Sequence, residues 1–309
     1  MNPFYTDYAE YLSRFYGNRK VQKISVNAGF SCPNRDGTIG HGGCIYCANS
    51  SFTPGYCFEK TGISQQLVAG KEFFGRKYPA MEYIAYFQSY TNTYSGDTSR
   101  LKRIYEEALS VNGVVGLAIG TRPDCLPDEV VELLARLNQY VPVFVELGVE
   151  TMSDETLRLI NRGHSAAQTV DAVRRLAEAG LHVGVHLIAG LPGEDEERIM
   201  KSLAEIVELP VESLKLHHLQ VLRGTELSRR IDAGEIAVPD FTPQRYVDLC
   251  CRVVKFVPRR IAIERFLASA PPEMVVSPRW GLKNYQFVNL LHNRLNDEMK
   301  LNKIIESNE

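Results

Sequence analysis

Residues 142–150 read PVFVELGVE, and the alternation in this stretch separates two chemistries. Val143, Val145, Leu147 and Val149 share one face, suited to packing beneath helices; Phe144, Glu146, Gly148 and Glu150 share the other. The same division recurs on either side. In 182–188 (HVGVHLI) the valines and leucine point one way and His182, Gly184 and His186 the other. In 213–219 (SLKLHHL) the polar set is Ser213, Lys215 and His217. In 114–122 it is Val114, Gly116, Ala118, Gly120 and Arg122, small residues followed by an arginine at the strand's carboxyl end. Parallel strands are normally covered on both faces, so a recurrent polar and small face implies an enclosed interior rather than an exposed sheet. Barrel enzymes place their chemistry at the carboxyl ends of such strands.

Working outward, further strands are predicted at 23–28 (KISVNA) and 82–88 (EYIAYFQ), with helical stretches between strands. The stretch 127–138 begins with Pro127 as a first helical residue, and 166–179 is closed by Gly180. Six strands are too few for an eight-stranded barrel. The fold class predicted is α/β: a partial (β/α)6 TIM-like barrel with a small, mostly helical C-terminal extension. The expected domains are a helical lead-in over 1–22, the partial barrel over 23–222, and an extension over 223–309 that closes the barrel. That extension would hold helices at 225–234, 243–256 and 284–305 and a short strand at 260–264.

The loop after the first strand, GFSCPNRDGTIGHGGCIYCANSSF (29–52), carries Cys32, Cys44 and Cys47 in the spacing C-x11-C-x2-C. Thiolates suit zinc or an iron–sulfur cluster. Zinc would need a fourth donor, for which His41 and Cys57 are candidates. A cluster held by three thiolates leaves one iron for an exogenous ligand. The glycines of the loop let backbone wrap a bulky centre, and Tyr46 offers a ring beside it. Both readings stand at this point.

The 309 residues carry 44% hydrophobic and 23% charged side chains, as in ordinary globular proteins, and no run long enough to span a membrane. The first twenty residues lack the pattern of a secretory signal. Seven cysteines with an adjacent pair at Cys250 and Cys251 do not resemble a disulfide framework, so a cytoplasmic location is expected. A net charge of -2 conceals an excess at the end: residues 252–305 hold ten Lys or Arg against four acids. Such an excess suits a polyanion or a solvated helical face. In PRWGLKNYQF (278–287), Arg279, Trp280 and Lys283 suit contact with a nucleotide or closure of the barrel, the latter favoured. Tyr86, Tyr90 and Tyr94 suit base stacking or packing, and His186, Lys215, His217 and His218 suit a cofactor, a substrate or buried structural bonding.

The blocks GFSCPNRDGTIGHGGCIYC, YFQSYTNTY, GTRPDCLPD, VELGVET, INRGH and HLIAGLPGE together resemble the YhcC-like branch of the radical S-adenosylmethionine (SAM) superfamily. That branch is allied to the elongator-catalytic-subunit and methylthiotransferase-like radical SAM proteins, and it shares the long first gap in place of the usual C-x3-C-x2-C. The resemblance implies a partial barrel of the radical SAM type in which Cys32, Cys44 and Cys47 ligate a [4Fe-4S] cluster. SAM would chelate the fourth iron. Gln88 and Ser89 would stand where relatives bind the SAM amino group. Glu146 or Glu150 would accept from the ribose hydroxyls, and Gly190, Leu191, Pro192 and Gly193 would lie against adenine. For the methionyl carboxylate Arg162 is first choice, since a guanidinium fork matches it, and Arg122 second. The implied activity is reductive cleavage of SAM, fed by an electron donor such as flavodoxin or ferredoxin. The implied substrate is tRNA, with conversion of a wobble-uridine carboxymethylaminomethyl group to aminomethyl. A radical SAM enzyme for a small molecule or peptide is the alternative, and a zinc- or cluster-stabilised binding protein is the non-catalytic one.

Overall fold

The computed structural model describes residues 2–51, 53–57, 61–75 and 80–306. Its strands are β1 Val21–Val26, β2 Glu82–Phe87, β3 Val114–Thr121, β4 Val143–Glu150, β5 His182–Ala189, β6 Ser213–His218, β7 Val221–Leu222, β8 Ala262–Arg265 and β9 Val275–Ser277. The helices are α1 Tyr8–Tyr16, α2 Ile63–Gly75, α3 Thr98–Ser110, α4 Asp128–Asn138, α5 Asp154–Leu159, α6 Ala166–Glu178, α7 Glu196–Val207, α8 Glu226–Asp232, α9 Pro243–Phe256 and α10 Asn284–Glu306.

Among the described residues, seven strands form one sheet in the order β1-β2-β3-β4-β5-β6-β8, parallel throughout. It curls into an open barrel. Ion pairs from Lys23 on β1 to Glu146 on β4 and Glu264 on β8 tie the first, middle and last strands across the interior. The seventh strand corrects the expectation that residues near 260–264 belong to an appended cap: β8 pairs with β6, Ser213 opposite Ala262. The free edge of β8 is met by the N-terminal segment, where the Ile263 N–H donates to the Thr6 carbonyl at 2.8 Å. An edge covered in this way cannot template pairing with another chain.

The outward faces of β1 to β6 bury Ile24, Val26, Phe87, Val143, Val145, Leu147, Val183, Val185, Leu187 and Leu216 beneath the helices. Full burial of each such side chain stabilises the fold by about 1.5–3 kcal/mol. The inward faces near the amino ends are filled by α1. Its Tyr11 and Tyr16 pack on Ile84, Tyr86, Ala118, Phe144 and Ala262, so the lead-in helix plugs that end of the barrel. Tyr11 Oη donates to Glu212 at 2.6 Å and Tyr16 Oη to the Val115 carbonyl at 3.4 Å, so both hydroxyls carried inside are satisfied. Space is thereby left only toward the carboxyl ends.

Cap chemistry follows the sequence with one difference. Pro127 is the N-cap of α4 rather than its first residue, and Asp128 and Glu129 face the positive end of the helix dipole. Ser165 and Gln168 form a capping box on α6, and Gly180 follows its end with φ +74°. Much of the basic excess of residues 252–305 is engaged within the chain, mostly at the surface. Arg252 pairs with Glu196 and Glu197, Lys255 with Glu298 and Arg294 with Asp248; Arg259, Arg260 and Arg279 donate to backbone carbonyls. The count alone therefore overstated the polyanion-binding surface.

Candidate active site

A cavity of about 690 Å³ runs from the cysteine loop down the barrel interior to α1. Cys32, Cys44 and Cys47 all line it. The long gap between the first two is a compact, self-bonded loop. Ile39 N–H donates to the Pro33 carbonyl and Gly43 N–H to that of Asn34, each at 2.8 Å, and Asp36 and His41 pair as a short bridge. Gly43 is required: its φ is +84°, and a Cβ there would stand 2.9 Å from Arg35 Nε.

The segment INRGH (160–164) latches this loop in place. Asn161 Nδ2 donates to the Gly43 carbonyl at 2.8 Å, and the Asn34 amide donates to the Asn161 carbonyl. Ile45 N–H reaches the Ile160 carbonyl at 3.1 Å. Asn161 itself has φ +53°, as do Tyr90 (+60°) and Glu150 (+69°) in kind. Tyr90 and Glu150 line the cavity and Asn161 braces its loop, so left-handed non-glycine backbone gathers at this site. Tyr90 is held there by its N–H donating to Asn49 Oδ1 at 3.1 Å.

Two buried guanidinium groups face the thiols. Arg162 (7% exposed) directs Nη1 to Cys44 Sγ at 3.5 Å and Nη2 to the Gly148 carbonyl at 2.6 Å, with Glu150 3.4 Å away. Its Nε is buried without a partner. Gly148 makes room: a Cβ there would lie 2.7 Å from both Arg162 Nη2 and Glu150 Oε1. Arg122 (2% exposed) is bound bidentately by Asp124 at 2.9 and 2.8 Å and points Nη1 at Cys32 Sγ, 3.9 Å away. Burial and the neighbouring Cys44 push the Cys47 thiol up to about 12, so it ionises only with a compensating positive charge. His164, two residues after Arg162, is buried, and burial with the charges of Arg162 and Arg122 drives its imidazole down to about 2.

Deeper in, Glu146 (2% exposed) gathers a cluster of charges from five strands. Oε2 accepts from Lys215 Nζ at 2.5 Å and meets His186 Nε2 at 3.2 Å; Oε1 accepts from Lys23. Glu264 also binds both lysines, at 2.9 and 3.2 Å. Burial alone would raise the Glu146 carboxyl, but Lys215 and Lys23 hold it well below the ordinary range. Lys215 also reaches Tyr86 Oη at 3.2 Å and sits over its ring. Both oxygens of Glu146 are thus engaged by side chains, whereas Glu150 meets Arg162 at 3.4 Å.

Of the residues singled out in sequence, Tyr46, Gln88, Tyr90, Arg122, Glu146, Glu150, Arg162, His186, Lys215 and His217 line this cavity with the cysteines. Ser89 is buried behind Gln88, its hydroxyl 3.2 Å from that of Thr53. Leu191 packs with Ile45 and Ile160 below the cysteine loop, and Gly190 borders a separate hollow of about 180 Å³ beside Phe241. Pro192 and Gly193 line neither space, and Ile188 joins His186 in reaching the main cavity from β5. Trp280 stacks on His218 at 4.3 Å and donates to the Phe241 carbonyl, which makes it a closing residue; Arg279 and Lys283 are exposed outside the cavity. The two candidate fourth zinc donors stay away: His41 is exposed on the loop, and the buried Cys57 thiol donates to the Ser25 carbonyl at 3.0 Å. Sequence reading missed Lys23, Asp124, Asn161, Glu264 and Arg265. Lys23 was available from strand parity, since it alternates with the outward Ile24.

A model of the radical SAM superfamily matches residues 34–206, and a model of the radical SAM C-terminal domain matches residues 211–297. The Escherichia coli (strain K12) protein YhcC is 37% identical over 270 residues, 87% of this chain and 85% of its own. The tRNA uridine(34) acetyltransferase of Methanocaldococcus jannaschii is 30% identical over 179 residues, 55% of this chain and 32% of its own. Among solved structures, the archaeal Elp3 of Methanocaldococcus infernus with an N-terminal deletion has a TM-score of 0.68 at 21% identity. That match covers 91% of this chain and 63% of the archaeal one, and it is a likeness of fold. This chain therefore spans less than two thirds of either archaeal protein.

Proposed function

The chain belongs to the YhcC-like branch of the radical SAM superfamily, whose members are enzymes binding a [4Fe-4S] cluster and SAM, and on that premise we propose that it modifies a tRNA wobble uridine. Bound together and given one electron by an external donor, the two cofactors would supply a 5′-deoxyadenosyl radical, with methionine released, for hydrogen abstraction from the substrate. The residues present fit them. Three thiols share one cavity wall, Gly43 provides the backbone turn a bulky centre needs, and Arg162 carries a buried Nε with no partner.

Cys32, Cys44 and Cys47 would hold the cluster. Arg162 Nε would take the methionyl carboxylate, Glu150 the ribose hydroxyls, and Gln88 the amino group. Gln88 Oε1 accepts from Ser25 Oγ at 3.0 Å, and its second lone pair would accept from the amino group. The Glu146 cluster fixes the floor and keeps the strands in register around the reacting groups.

The observation that carries the substrate reading is the 30% identity, over 179 residues and 55% of this chain, to a protein named for uridine 34 of tRNA. Two arginines support it. Arg35 and Arg265 line the cavity near the carboxyl ends of the strands, and neither has a carboxylate partner among the described residues. Arg35 lies over the Tyr90 ring at 5.8 Å, a pairing that suits a base and its phosphate. The test is nucleoside mass spectrometry of tRNA from cells with and without the gene. A changed wobble-uridine side chain is expected, reversed by the wild-type gene but not by Cys44→Ala. An unchanged profile, in a host that makes aminomethyl uridines, would favour a small-molecule or peptide substrate.

A further inference from the structure

We propose that Arg122 is a positioning residue that sets the reduction potential of the cluster held by Cys32, Cys44 and Cys47. The proposal rests on the cluster reading above. The Arg122 guanidinium has its orientation fixed at two nitrogens. Asp124 accepts from Nε at 2.9 Å and from Nη2 at 2.8 Å, and both side chains are almost fully buried. The remaining nitrogen, Nη1, is left pointing at Cys32 Sγ. Gly163 backs the arrangement: a Cβ there would stand 3.2 Å from Arg122 Nη2. A bidentate fork has one geometry, so the third N–H is aimed rather than free to swing.

This differs from Arg162, which also reaches a thiol but keeps Nε unbonded for a ligand. Arg122 is more fully engaged: Asp124 takes Nε and Nη2, and Nη1 approaches Cys32.

The electronic consequence has a definite sign. Reduction adds one electron to the cluster from an external low-potential donor, with no proton transferred and no bond broken. The added negative charge is partly carried by the thiolate sulfurs. An N–H directed at one of them stabilises the reduced state, and in a buried site the effect is only weakly screened. Asp124 offsets the net charge of Arg122, so the pair acts chiefly through its aimed dipole. Removing each partner therefore shifts the potential in opposite directions. Arg122→Gln leaves a buried carboxylate near Cys32 and disfavours the added electron. Asp124→Asn leaves a guanidinium without its counter-charge and favours it.

The experiment is a redox titration of the anaerobically reconstituted full chain, without SAM, following the electron paramagnetic resonance signal of the reduced cluster. Wild type, Arg122→Gln, Arg122→Lys and Asp124→Asn are compared at matched iron content. The reduced-to-oxidised ratio at a fixed poise should fall about tenfold in Arg122→Gln, equivalent to 59 mV for a one-electron couple. It should rise in Asp124→Asn, with Arg122→Lys between wild type and Arg122→Gln. Midpoints that move less than threefold, or both in the same direction, overturn the proposal. A merely structural role would lower cluster content without this opposed pair of shifts. If Arg122→Gln holds no cluster, Asp124→Asn still decides by its sign. A wild-type chain that takes up no cluster at all would instead refute the reading on which the proposal rests.

Discussion

Replacing Glu146 by Gln tests whether the barrel is held together by charge as well as by apolar packing. The carboxylate is almost wholly buried and accepts from Lys215, Lys23 and His186, drawn from strands β6, β1 and β5. Removing one member of a buried ion pair costs about 3–5 kcal/mol, because the surviving charge loses its compensation in a medium that solvates it poorly. Here Glu264 still binds both lysines, at 2.9 and 3.2 Å, so the lower end of that range applies. A loss of about 3 kcal/mol is more than a hundredfold in the folding equilibrium. At a urea dependence of about 3 kcal/mol per molar, the midpoint should fall by about 1 M. The assay is equilibrium urea unfolding of the cluster-free chain under reducing conditions at pH 7. The pair Glu146→Gln with Lys215→Met should recover at least half the loss, since a single Lys23–Glu264 pair then remains. A single-variant loss below 1 kcal/mol, or a double variant as unstable as the sum of its parts, would refute the reasoning.

Gly148→Ala inserts a Cβ 2.7 Å from Arg162 Nη2 and Glu150 Oε1, and overpacking of this kind costs about 1–3 kcal/mol. The variant should fold and retain its brown colour but lose most SAM binding in equilibrium dialysis; unimpaired binding would remove Arg162 and Glu150 from the SAM site. Burial lowers the His218 imidazole to about 4, below the 6.5 of an unfolded chain. The unfolded state therefore takes up a proton first, and stability should decline as pH falls from about 6.5 to about 4, by about 1.4 kcal/mol per pH unit for this group. His218→Gln should flatten the measured slope by that amount, and an unchanged slope would contradict the neutral, buried state of the ring.

The central strands were open to reading because a period of two is hard to imitate. Once Val143, Val145 and Leu147 are assigned outward, Glu146 has nowhere to point but inward, and the structure puts it there. The same parity placed His186, Lys215 and Arg122 on the cavity wall. It fails where strands are short. Ala262–Arg265 has four residues and follows a long helix, so nothing local distinguishes a seventh barrel strand from part of a cap. Parity also weakens past a strand's end, where the turn sets the direction. Ser89 and Gly190 lie within two residues of the ends of β2 and β5, yet one is buried behind Gln88 and the other faces a different hollow. Long-range partners were hidden for a simpler reason. Asn161 clamps Gly43 across 118 residues, and Glu196 neutralises Arg252 across 56, so neither a motif nor a charge count reveals them. The plug formed by α1 belongs to the same class. Its aromatic stripe is plain in sequence, but which opening it fills depends on the edge of β8 that the preceding segment meets.

The measurement that bears most directly on all of this is cofactor loading and turnover in oxygen-free material. Reconstituted chain should hold about four iron and four sulfide, as a cube-type cluster requires. On reduction with dithionite it should convert SAM to 5′-deoxyadenosine, and Cys44→Ala should lose both colour and product. A chain that binds one zinc instead, or a Cys44→Ala variant that cleaves SAM as the wild type does, would contradict the assignment of the three thiols.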